Sequence, residues 1–156
     1  MHGASQLRAR LGFHRAHICP THALLDNDEE GRKAVADAQA LELLADSEYH
    51  VTGAKGMKNS EIEDLLAPSA YKQKLEQSFG VVLQQASLDA TDKKWSERIR
   101  QQFLSNGKIW NSTLEAKIKK VVADQVEELT LAALHPNRKD IVSKLVQTLE
   151  QRLKPT

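Results

Sequence analysis

Two aspartates stand one residue apart in Asp26-Asn27-Asp28, and Glu29 and Glu30 follow at once. The short apolar run Thr21 to Leu25 ends abruptly at this cluster, as a buried strand would. Carboxylates leaving the end of such a strand sit at the sheet edge where open α/β folds bind ligands. Magnesium asks for hard oxygen ligands, and one or two carboxylates completed by waters and phosphate oxygens satisfy it. Crowding Glu29 and Glu30 beside the pair is unfavourable unless a cation compensates them or they point into water. A simpler local role is equally available: Asp28 can cap a helix, with Glu29 and Glu30 complementing its dipole.

A second acidic group, Glu61, Glu63 and Asp64, follows another strand-like stretch. Adjacent parallel strands would bring both groups to one edge, where they could hold one metal, or two that clamp the attacking and leaving oxygens of a phosphodiester. Here too a cap competes, because Ser60 and Glu63 spell the Ser-x-x-Glu capping box. The spacing of His14 and His17 suits two imidazoles on one helix face, with His22 further along, yet no third ligand stands at a recognised zinc spacing. Trp95 and Trp110 could stack on bases, but in helical segments this poor in aromatics they read as core anchors.

The elements that must position these groups are legible in part. Residues 5 to 18 read as a helix ended by Pro20, Thr21 to Leu25 as a strand, Arg32 to Ala45 as a helix, and Tyr49 to Thr52 as a second strand. Strand, helix, strand implies a parallel pair. After Pro68 the pattern becomes helical: a helix capped by Ser69 over residues 69 to 78, then amphipathic helices over 92 to 105, 113 to 134 and 137 to 153, separated by Asn106-Gly107 and His135-Pro136.

At 156 residues, 40% hydrophobic and 28% charged, the chain can bury one substantial core. No apolar run approaches the roughly 20 residues that span a bilayer, and no secretory signal is readable, so a cytoplasmic location without membrane function is expected. The single Cys19 excludes an internal disulfide and a cysteine-rich zinc site. The net charge of +1 hides an uneven distribution. Arg8, Arg10 and Arg15 lie in a stretch without acids, residues 26 to 66 are acidic in excess, and residues 91 to 156 are basic again. An acidic patch between basic flanks suits a place where cations meet a phosphate backbone.

The stretch Ala23 to Arg32 (Ala-Leu-Leu-Asp-Asn-Asp-Glu-Glu-Gly-Arg) resembles the aspartate-x-aspartate motif of Toprim domains, the fold shared by topoisomerases, primases and certain nucleases. Glu61-Ile62-Glu63-Asp64-Leu65-Leu66, with Pro68 and Tyr71 after it, resembles the second acidic motif in the Toprim half of the OLD-family (overcoming lysogenization defect) ATP-dependent endonucleases. The resemblance covers residues 20 to 75 and, more weakly, 90 to 125. It implies DNA cleavage dependent on Mg²⁺ or Mn²⁺, with Asp26, Asp28, Glu63 and Glu61 as metal ligands. It also implies a lysine after the acidic motifs that neutralises charge on the phosphate, for which Lys117 and Lys120 are the leading candidates and Lys108 a third. Toprim domains carry a glutamate upstream of the aspartate pair, and no acidic residue precedes Asp26 here; nor is there a Gly-x-x-x-x-Gly-Lys phosphate loop for an ATPase.

The expectation is therefore an α/β fold: a partial Toprim-like parallel sheet with helices over residues 1–67, then a mostly helical extension over 68–156. It resembles the C-terminal portion of a longer nuclease. DNA, an ATPase domain or subunit outside this chain, and a second copy of the chain are the expected partners. The alternative is a non-catalytic remnant or a helical interaction module lacking the upstream glutamate.

Overall fold

A computed structural model describes residues 3–15 and 21–153; Cys19 and His17, the helix end at Ile18, and the side chains of His14 and Arg15 lie outside what is described. The architecture is mostly helical, 65%, with one small parallel sheet. Strands β1 (Ala23–Leu25) and β2 (Tyr49–Val51) pair in parallel, with Leu24 opposite His50. Between them runs α2 (Glu29–Ala40), and α1 (Gly3–Arg15) precedes them. The remaining helices are α3 (Pro68–Phe79), α4 (Gln85–Asp89), α5 (Trp95–Ser105), α6 (Ser112–Leu129) and α7 (Lys139–Arg152).

The parallel pair is as expected, but β1 is not buried on both faces. Leu25 packs with Leu7, Leu11, Val35 and Ala38 beneath α1 and α2, whereas Leu24 is 41% exposed. A two-stranded sheet has too little surface to be covered on both sides, so alternate side chains face opposite environments. The larger core joins α3, α5 and α6: Tyr71 and Leu75, Trp95, Ile99 and Phe103, and Ile118 and Val122 are all buried. Trp95 is fully buried and Trp110 packs at the edge of this cluster, as core anchors do.

Helix starts differ from the expected ones where a local signal was over-read. Pro68, not Ser69, opens α3, behind Ala67 at the cap position; proline fits a first turn because its missing N–H would be unpaired there anyway. Helix α2 stops at Ala40, followed by Glu42 in the left-handed region. The long helix expected through residue 134 breaks at Thr130, which has φ of 54°.

Residues on either side of position 67 are stitched together. Ala67 N donates to Ala133 O and His135 N to Leu65 O, both at 2.8 Å, and Arg138 Nη1 reaches Asp64 O at 2.7 Å. The helical segment thus wraps back over the acidic segment and supplies cations to it.

Candidate functional site

The loop after β1 and the segment before residue 62 are held edge to edge. Asn27 N donates to Ser60 O at 2.8 Å and Ser60 N to Asn27 O at 3.0 Å, an isolated antiparallel bridge. The Ser60 hydroxyl bonds Thr52 O and the Ala54 amide, which removes it from any helix cap. The expected Ser60–Glu63 capping box is therefore replaced. A short 3₁₀ turn over Ile62–Leu65 forms instead, with Glu61 N donating to Asp64 Oδ2 at 2.8 Å. On the other side of the bridge, Arg32 contacts Asn27 and Asn59 and fixes the loop from outside.

This bridge delivers the two acidic groups to one place. Asp26 Oδ1 accepts from Ile62 N at 3.0 Å, so the first aspartate is tied to the residue between Glu61 and Glu63. Asp28 does cap α2, accepting from Gly31 N at 2.9 Å through Oδ1. Its Oδ2 pairs with Lys94 at 2.8 Å, so the cap and the site are the same residue. Glu29 and Glu30 are exposed and take no part.

Gly31 is required by this arrangement. A Cβ there would lie 2.0 Å from the Asp26 carbonyl oxygen, a backbone atom that cannot yield without moving the site. Gly31→Ala is expected to destabilise the fold by about 3 kcal/mol, as severe overpacking does, and to shift Asp26. Thermal denaturation checks this; a melting temperature equal to the parent's would mean that the loop relaxes freely.

Glu61 and Asp64 have a structural task as well. The residue at the α5 cap position is Lys94, whose side chain cannot accept a hydrogen bond from the helix amides. Asp64 Oδ2 accepts from Trp95 N at 3.1 Å instead, and Glu61 accepts from Ser96 N at 2.8 Å and Ser96 Oγ at 2.9 Å. Asp64 also pairs with Arg98, both buried, while Arg98 bonds Leu88 O. The negative groups sit where the partial positive charge of the helix N-terminus favours them.

Cations come from α5 and α6. Lys94 bridges Asp28 and Glu61, the latter at 3.3 Å; Lys119 reaches Glu63 at 3.2 Å and Glu61 at 3.8 Å, and lies 5.7 Å from the Trp95 ring centroid. Lys119, rather than Lys117 or Lys120, is the lysine brought to the acidic groups. Lys117 is exposed, and Lys120 is spent on Asp124 at 3.0 Å along its own helix. The periodicity held a usable signal: Ile118 and Val122 mark the buried face of α6, and at about 100° per residue Lys119 flanks that face while Lys117 and Lys120 turn away. Lys108 lies near Gly80, at the opposite end of the helical core.

The charges respond accordingly. Burial pushes Asp26 above the ordinary carboxylate value, and neighbouring Glu61 and Asp28 add to this against the Ile62 amide and Lys119. Burial likewise raises Glu63, in spite of Lys119. Burial would also raise Asp28, but hydrogen bonds from Lys94 and Gly31 outweigh it and hold the group below its usual value. Lys94 is pushed upward although burial opposes it, because Asp28 and Glu61 stabilise its ammonium. Among the described residues, Asp26 alone of these carboxylates has no cationic side chain bonded to it.

Comparison with family models, curated proteins and solved structures yields no match. The donor set must therefore be judged on its own chemistry. Among the described residues, no three His, Cys, Asp or Glu side chains gather as a closed metal cage would require. Magnesium does not need one: Asp26 and Asp28 offer the one or two carboxylates that it takes while keeping waters and phosphate oxygens. Both carboxylates are oxygen donors of the type such an ion takes, with the Asp28 oxygens held by the Gly31 amide and by Lys94. None of the helices among the described residues is long and apolar enough to cross a membrane.

Proposed function

We propose that the chain carries a Toprim-like site for metal-dependent phosphodiester hydrolysis, with DNA as substrate and Mg²⁺ or Mn²⁺ as cofactor. The observation that carries the reading is Asp26. It is a partly buried carboxylate raised by burial and by two acidic neighbours, and among the described residues no cationic side chain is bonded to it. Holding it ionised has a cost that a divalent cation would remove. Asp26 and Asp28 are the ligands, with Glu61 and Glu63 as the adjoining acidic wall.

A bound divalent ion would supply Lewis-acid polarisation of a phosphate oxygen. The chain's own groups then have defined tasks. Lys119, fixed between Glu61 and Glu63 and against Trp95, presents an ammonium that can bond a phosphate oxygen as its charge grows. Lys94 would give up Asp28 to such a cation and would remain held by Glu61, keeping its charge beside the phosphate. Arg8, Arg10 and the C-terminal lysines, Lys139 and Lys144 among them, supply contacts to the DNA backbone that weaken as salt rises.

A second reading, a non-catalytic remnant, is favoured by one specific feature: Lys94 and Lys119 already neutralise most of the cluster from within. Plasmid nicking separates the two. With Mn²⁺ and the chain in excess, slow nicking that disappears in Asp26→Ala is expected, slow because no acidic residue precedes Asp26 to complete a second metal position. No nicking at any protein concentration, in a chain that still binds DNA, would select the remnant.

A further inference from the structure

Helix α7 is attached to the body at its ends and stands off it between them. None of its residues is buried. At the N-terminal end, Arg138 bonds Asp64 O, and Ile141 and Val142 pack on Ala54, Met57 and Leu65. Between α7 and α6 lies an apolar cavity of about 480 Å³, walled by Leu145, Val122, Val126 and Leu24 and bordered by Glu63 and Lys119. At the C-terminal end, Arg152 Nη1 donates to Thr21 O at 3.1 Å and to His22 Nδ1 at 3.0 Å, and Nη2 lies 3.5 Å from Glu48 Oε1. His22 Nε2 is 2.7 Å from His50 Nδ1.

The donor and acceptor roles in this chain are forced. A guanidinium only donates, so His22 Nδ1 must accept, and its one proton is on Nε2, donated to His50 Nδ1. The whole relay from α7 through the ends of both strands exists only while His22 is neutral. A proton added to His22 Nδ1 would set N–H against N–H at Arg152.

We propose that α7 is a flap over the apolar cavity beside Glu63 and Lys119, hinged at Arg138 and latched by Arg152 on the His22–His50 pair, and that protonation of His22 releases the latch. The groups facing the pair act in both directions. Arg152 and Lys144 on α7 oppose protonation, whereas Glu48 and Asp46 before β2 favour it; Tyr49 completes the surface beside His50. For His22 burial is the largest influence and, with His50 and Arg152, keeps its proton affinity below the ordinary 6.5. The latched form therefore holds neutral His22, and release lets its proton affinity rise again. Latching is therefore fullest where His22 is neutral and weakens as the pH falls through the imidazole range, by at most about tenfold per pH unit for one coupled proton.

Amide hydrogen exchange on the full chain, corrected for intrinsic rates, tests this at about pH 7.5 and about pH 5.5, on either side of the imidazole range. Protection of the C-terminal half of α7 is expected to fall between them, by at most about tenfold for one coupled proton, with α5 unchanged. In the His22→Gln, His50→Gln double variant the amides keep a donor and an acceptor but cannot titrate, so protection should hold at both pH values; Arg152→Ala should lower it at both. The proposal is overturned if the parent shows no change, if the double variant responds as the parent does, or if α5 and α7 lose protection together.

Discussion

Asp64→Ala is expected to destabilise the fold by about 3–5 kcal/mol, the usual consequence of leaving one member of a buried ion pair behind. The reason is local. Arg98 is 4% exposed and has Asp64 as its only ion-pair partner among the described residues. The same carboxylate accepts from the Trp95 and Glu61 amides, and those donors would also be stranded. For a domain of this size the melting temperature should fall by about 10 °C. The companion variant Asp64→Ala, Arg98→Met should lose less than the single one, since it removes the buried charge that the single variant exposes. Equal losses would show that the amide caps of α5, not the ion pair, carry the effect.

Lys119→Met is expected to slow Mn²⁺-dependent nicking by about 100-fold, in the range seen when one donor to a developing oxyanion is removed. Methionine keeps an apolar chain of similar reach, so the contact with Trp95 should survive. Loss of a positive charge beside Glu61 and Glu63 should leave Mn²⁺ binding undiminished. The signature is therefore a rate lost without a cation lost. Lys117→Met and Lys120→Met serve as controls, because both side chains face solvent. A Lys119→Met chain that nicks at the parental rate would remove Lys119 from the chemistry.

How much of this was readable beforehand varies with the range of the interaction. The strand, acidic loop and helix around Asp26 and Asp28 were legible because their signals are local: an apolar run, a capping residue and helical spacing within about twenty positions. The parallel pairing of β1 with β2 followed from the helix between them. What failed depended on distant partners. Nothing near Trp95 announces the start of α5, since its caps are Glu61 and Asp64, over thirty residues upstream. Ser60 matched a capping pattern yet turns back to Thr52 and Ala54, because the bridge to Asn27 fixes it elsewhere. Lys94 was not singled out at all; its importance comes from meeting Asp28 across 66 positions. Lys119 carries the same local signal as Lys117 and Lys120, and only the buried face marked by Ile118 and Val122 distinguishes it from them.

The same division explains what the second acidic cluster does. Three carboxylates close in sequence invite one shared role, but their partners separate them. Asp64 is 1% exposed and belongs to the helix cap and to Arg98, Glu61 joins that cap to Lys94 and Lys119, and Glu63 faces Lys119. Of the carboxylates at the site, Asp26 is left without a cation bonded to it among the described residues.

Calorimetric titration of the chain with Mn²⁺, beside the Asp26→Asn, Asp28→Asn variant, addresses that point most directly. Asparagine retains an oxygen for the Gly31 amide, so α2 keeps its cap while both charges are lost. The parent is expected to bind Mn²⁺, with the double variant weaker by about tenfold or more, a difference of about 1.4 kcal/mol or more. A double variant that binds as tightly as the parent, or a parent with no binding at all, would contradict a divalent-cation site at Asp26 and Asp28.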